Sequence, residues 1–115
     1  MLKRTLIIYA TETGREPFVE WFTALQDKNI RHSIQNRLDR LKLGHFGDYE
    51  SVGDGVLELR FFSGPGFRVY FAEYSGWIIF LLCGGDKKTQ TRDIKKAKIY
   101  WKECKERTHD RFRTI

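Results

Sequence analysis

Residues 56–85 read VLELRFFSGPGFRVYFAEYSGWIIFLLCGG, and the fold turns on this stretch. Leu57, Leu59 and Phe61 alternate with Glu58, Arg60 and Phe62. A period of two places the two sets on opposite faces of a strand. Ser63-Gly64-Pro65-Gly66 turns the chain. Phe67, Val69 and Phe71 then alternate with Arg68, Tyr70 and Ala72. Ser75-Gly76 is a tight hairpin signal. Trp77 to Cys83 is apolar at every position, the mark of a central strand covered on both sides. Gly84-Gly85 ends it, a pair that lets the backbone turn sharply. The stretch predicts a three-stranded antiparallel meander.

Outward from it, Leu6 to Tyr9 form a short strand that Thr11-Glu12-Thr13-Gly14 breaks. Pro17 suits a first helical turn, and Phe18, Trp21, Phe22 and Leu25 follow at helical spacing. Asp27 can cap a second helix with the stripe Ile30, Ile34, Leu38, Leu41. Arg31, Arg37, Arg40 and Lys42 lie off that stripe, and Gly44 closes the helix. Residues 44–55 hold four glycines and three acidic residues and read as a loop. A last helix runs from Thr89 to Arg107 on Ile94, Ala97, Trp101 and Cys104, with a tail over 108–115. The order strand, helix, helix, three strands, helix is α+β, with helices laid on an antiparallel sheet.

A chain of 115 residues makes one domain, 1–115. Apolar residues are 41% and aromatics 15%, which excludes a disordered chain. The longest apolar run, Trp77 to Cys83, is far short of the roughly 20 residues of a membrane span. Leu6 to Ala10 is too short for a signal-peptide core, so a cytoplasmic protein is expected. Cys83 and Cys104 read as reduced, partly buried thiols. His32, His45 and His109 have no metal-ligand spacing, so neither metal nor cofactor is expected. Only His45, in a glycine loop, suits acid–base work.

The net charge of +6 is not evenly spread. Residues 1–57 carry eight basic and eight acidic side chains, whereas residues 87–115 carry eleven and four. A +7 segment of that length suits either a solvated helix face or a phosphate-bearing partner. Across the Gly64-Pro65-Gly66 turn, Glu58, Arg60 and Arg68 can share the face opposite Leu57, Leu59 and Phe61. They would bind a phosphodiester there, since the guanidinium fork holds phosphate in two places. The same trio would serve equally as a cross-strand salt bridge on a solvated face. Lys87 and Lys88 stand beside a helix start, where N–H groups and the dipole favour an anion. In a simple meander they reach the same end of the sheet as Arg68.

Five blocks together carry a resemblance. They are Tyr9 to Phe18, Arg37 to Asp48, Gly53 to Arg60, Gly64 to Tyr70 and Leu81 to Ala97. In this order they resemble the HigB-type addiction-module killer proteins of the RelE/ParE toxin superfamily. The resemblance implies a small α+β fold with a twisted antiparallel sheet. It implies a toxin neutralised by a cognate antitoxin, a helix-turn-helix DNA-binding protein through which alone the pair would meet operator DNA. RelE-like members are metal-independent ribonucleases that cut mRNA on the ribosome, whereas ParE-like members poison DNA gyrase without cutting. A relative that binds but no longer cleaves is a third reading.

Residue by residue, Arg68 matches the strand arginine that holds the phosphate. Glu58 and Arg60 fall on the neighbouring strand, and Lys87 follows the last strand where relatives carry a basic group. The implied catalytic set is Glu58, Arg60, Arg68 and Lys87, with Lys88, Gln90, Arg92, Lys95 and Lys96 on RNA. Glu58 would take the 2′-OH proton, and Lys87 or Lys88 would protonate the 5′-oxygen. The C-terminal tyrosine of several nuclease relatives has no counterpart: Ile94 stands near it and Tyr100 lies beyond.

Overall fold

The structure is a computed structural model and describes residues 3–62 and 64–111. The elements are β1 (Thr5–Ile8), α1 (Pro17–Ala24), α2 (Lys28–Lys42), β2 (Tyr49–Gly53), β3 (Val56–Arg60), β4 (Arg68–Tyr74), β5 (Ile78–Gly85) and α3 (Gln90–Arg111). They build an α+β domain around one five-stranded sheet of order β1-β5-β4-β3-β2.

The meander forms as the alternation predicts. Leu59 pairs with Val69 and Arg60 with Arg68 across β3 and β4. Ser75 and Gly76, both at positive φ, make the tight turn into β5. β5 is central, between β4 and β1. Asp27 caps α2, its carboxylate accepting the Asn29 N–H at 2.8 Å.

Three elements differ from the sequence reading. β1 runs parallel to β5, so the sheet is mixed. The α1–α2 hairpin carries the chain over one face, from the β1 edge to the β2 edge. The segment read as a loop also contains β2. Its sequence Tyr-Glu-Ser-Val-Gly is exposed except at Val52, so no alternation marks it. Main-chain pairing to β3 and an ion pair from Glu50 to Arg60 hold it. The last helix also continues through Thr108 to Arg111, past the end its spacing gives. Residues 112–115 of the expected tail lie outside the described residues.

Each face of the sheet is covered. Leu59, Val69, Phe71, Ile79 and Leu81 pack on Phe18, Ile34, Leu38 and Leu41 of the helical hairpin. Val56, Tyr70, Ala72, Phe80 and Leu82 pack on Ala97, Trp101 and Cys104 of α3. Glu58 lies on this second face, as do Arg60 and Arg68. α3 covers this face at Glu58 but leaves Arg60 partly exposed, and both arginines are in ion-pair range of Glu58. Cys83 and Cys104 are both free and buried in this layer, and burial pushes the Cys83 thiol up to about 12.

The glycine pair does something other than turn the chain. Gly84 and Gly85 are the last residues of β5. A side chain on Gly84 would sit 2.2 Å from the Trp21 ring of α1. One on Gly85 would sit 1.8 Å from the Asp93 carboxylate of α3. The pair allows helices to close on both faces of the strand end.

Candidate functional site

Arg60 ends β3 and Arg68 begins β4, directly opposite one another. Gly85 pairs with Arg68 from the other side, which brings Lys87 just past it. The Lys87 N–H lies 3.4 Å from the Pro65 carbonyl and ties this segment to the β3–β4 turn. The three cations line one cleft of about 420 Å³ with Phe62, Pro65 and Gly66. Among the described residues that line it there is no carboxylate and no imidazole. Arg60 is paired with the exposed Glu50 carboxylate at the rim, while Arg68 and Lys87 add positive charge beside it, and together they make a site that favours an anion.

A second countercharge lies underneath. Glu58 has no exposed surface. Its Oε1 accepts from Arg60 Nε at 2.8 Å. Its Oε2 accepts from the Tyr70 hydroxyl at 2.9 Å and from Gln90 Nε2 at 2.8 Å. Burial alone would raise its pKa, but the hydrogen bonds from Gln90, Arg60 and Tyr70 outweigh it and the pKa is lowered. Tyr70 responds the other way: burial and then its bond to Glu58 hold the phenol protonated well above its ordinary range. Glu58 is therefore an ionised anchor that fixes Arg60 from below.

Arg68 is held more loosely. Its Nη1 donates to the Gly66 carbonyl at 2.5 Å. Its Nε lies 3.8 Å from Glu58 and, though buried, has no hydrogen-bond partner among the described residues. That nitrogen lies beneath the cleft, within ion-pair range of the buried Glu58 carboxylate. Gly66, at φ +75°, makes room: a Cβ there would press to 2.9 Å on Arg68 Nη1.

The start of α3 is already capped. Asp86 Oδ1 accepts the N–H groups of Lys88 and Thr89 at 2.9 and 3.1 Å. Those donors are thus taken by the chain itself. Of the residues expected on RNA, Lys88 is exposed just before α3, and Arg92, Lys95 and Lys96 are exposed along its first turns, with Arg92 Nε 3.6 Å from Asp93. Gln90 turns inward to Glu58 instead. Tyr100 stacks on Tyr9 at 5.1 Å, and Ile94 packs in the α3 layer. His45 is exposed beyond α2 and does not line the cleft.

Sequence reasoning missed Arg37. It stood off the stripe of α2 and read as a surface charge. Its Nη1 donates to the Arg60 carbonyl at 2.8 Å, and its Nη2 to the Phe46 and Asp48 carbonyls, each at 3.2 Å. Its guanidinium also sits over the Phe61 ring at 4.7 Å. Desolvation lowers its pKa. No local signal marks such a residue, because its partners lie in two other segments, 46–48 and 60–61.

Residues 20–105 match the family model described as phage-derived protein Gp49-like (DUF891). The chain belongs to this family. The match takes in α2, the whole cleft and most of α3. An uncharacterized protein of Haemophilus influenzae (strain Rd KW20) is 45% identical over 86 residues, 75% of this chain and 87% of that protein. The Gp49-like family is one of RelE/ParE-like toxins, associated with toxin–antitoxin systems, and an antitoxin is the partner that goes with it. The α+β fold with its five-stranded sheet and three helices agrees with that family. No helix among the described residues is long and apolar enough to cross a membrane.

Proposed function

We propose that this Gp49-like protein is the toxin of a toxin–antitoxin pair and inhibits translation as an mRNA endoribonuclease on the ribosome, without a metal. The convergence of Arg60, Arg68 and Lys87 on one cleft carries the reading. In the reaction the ribose 2′-OH attacks the adjacent phosphate, giving a 2′,3′-cyclic phosphate and a free 5′-hydroxyl. Arg68 and Arg60, which both line the cleft, hold the phosphate and offset the charge that develops on it. Among the described residues that line the cleft, Lys87 is the one side chain besides the guanidinium groups that can give a proton, and it supplies the 5′-oxygen. Glu58 was expected to act as the base. Fully buried and saturated with donors, it acts here as a positioning residue for Arg60. Proton removal from the 2′-OH then falls to water or to the ribosome, consistent with cleavage that depends on the ribosome.

Lys88, Arg92, Lys95 and Lys96 extend the positive surface along α3 and would follow the RNA backbone without reading sequence. The antitoxin would be a helix-turn-helix protein, and operator DNA would be met only through it. The protein would act in the cytoplasm. The lack of a base in the cleft favours one second reading, a ParE-like gyrase poison that binds without cutting. Inducing the chain alone in bacteria and mapping mRNA 5′ ends separates them. New ends inside translated codons, lost in Arg68→Ala, are expected. Growth arrest without new ends, with inhibited supercoiling, would overturn the nuclease.

A further inference from the structure

Phe62 is 86% exposed, more than any other large apolar side chain of the described residues. It lines the cationic cleft beside Arg60, Arg68 and Lys87. Its neighbour Phe61 is buried, so the exposed ring is not an accident of a loose segment's packing inward. Phe62 follows Arg60 by two residues, at most about 7 Å of chain. A bare aromatic ring next to guanidinium groups matches a ligand that is anionic along one edge and flat along the other. An unstacked nucleotide has both features: phosphate for the arginines and a base for the ring. A protein partner seated on Phe62 would need acidic groups facing all three cations.

We propose that Phe62 is a base-stacking platform, and that the cleft takes a single-stranded nucleotide with its base splayed onto this ring and its phosphate on Arg60 and Arg68. The inference rests on the phosphate reading of the cleft and adds the single-stranded, unstacked state of the substrate. The cleft volume of about 420 Å³ lies within the roughly 300–1,000 Å³ of small-ligand sites. Stacking of a base on an aromatic side chain is sequence-tolerant, since every base offers a flat face. Specificity at this position is therefore expected to be weak, with purines favoured by their larger area.

The test is an NMR titration of the full chain with two 2′-deoxy trinucleotides, which cannot be cleaved by a 2′-OH route. One carries a central adenine and the other an abasic sugar. The wild type should bind the first about tenfold more tightly than the second, as about 1.4 kcal/mol of stacking requires. Phe62→Ala should erase that difference and leave abasic binding unchanged. Phe62→Trp should keep it, and Arg68→Ala should weaken both ligands. If Arg68→Ala weakens binding but Phe62→Ala leaves the difference intact, the stacking proposal falls and the phosphate cleft stands. If the wild type binds neither trinucleotide, both fall.

Discussion

Arg37 and Arg68 sit on opposite faces of the same sheet end, and they are used in opposite ways. Arg37 gives its donors to three main-chain carbonyls and its plane to Phe61. It does not line the cleft. Arg68 satisfies one nitrogen on the Gly66 carbonyl and leaves its Nε buried and unpaired. The first pins β2, β3 and the preceding loop onto α2. The second is stretched over Glu58 at a distance too long for a hydrogen bond. An arginine committed to main-chain carbonyls stabilises a fold, whereas one that lines a cleft can receive an anion.

Substitution should separate the two. The largest effect is expected for Arg68→Ala on function: translation arrest should fall by a factor of about 100 or more, as loss of a preorganised charge donor does. The melting temperature should move little. A toxic Arg68→Ala would end the contrast. Arg37→Ala should show the reverse. Loss of three charge-assisted hydrogen bonds and a cation–π contact should cost about 2–3 kcal/mol in urea unfolding. Activity per folded molecule should persist.

Glu58→Gln sharpens the comparison from beneath. It keeps the shape but removes the charge that holds Arg60, at a cost of about 1–2 kcal/mol near neutral pH. The folded-state pKa of Glu58 lies below its ordinary value of 4.5. Its ionised form therefore contributes stability that is complete above about 4.5 and is lost as pH falls through the lower folded value. The wild type should weaken over that acid range, and Glu58→Gln should show a flatter profile there. A variant with unchanged acid sensitivity would show that Glu58 is not the group responsible. Smallest is Lys98→Ala, which breaks an exposed pair with Asp54 at 3.6 Å. It should cost less than about 0.5 kcal/mol by thermal unfolding.

Much of the fold is legible along the chain. The alternation of residues 57–62 and 67–72, the Ser75-Gly76 turn and the Asp27 cap each act between near neighbours. Each appears in the structure at its expected place. The convergence of Arg60, Arg68 and Lys87 was also readable, because a meander brings the start of one strand beside the ends of its two neighbours. β2 was not readable. An edge strand with one partly buried residue has no hydrophobic period, and its pairing comes from β3. The glycine pair was misread for a related reason: Trp21 and Asp93, which exclude any side chain there, come from two helices far off in sequence.

The deepest division falls at Glu58 and Arg37. Local pattern decided that Glu58 shares a face with Arg60 and Arg68, and that Arg37 lies off the apolar stripe of its helix. Only the packed molecule decided what covers those positions. α3 closes over Glu58, delivers Gln90 to it and converts an apparent surface base into a buried anchor. The β2–β3 edge and the loop before it fold back onto α2 and accept hydrogen bonds from both terminal nitrogens of Arg37. Side-chain periodicity is set by backbone geometry within a few residues. Burial and hydrogen-bond satisfaction are set by whatever the rest of the chain lays on top.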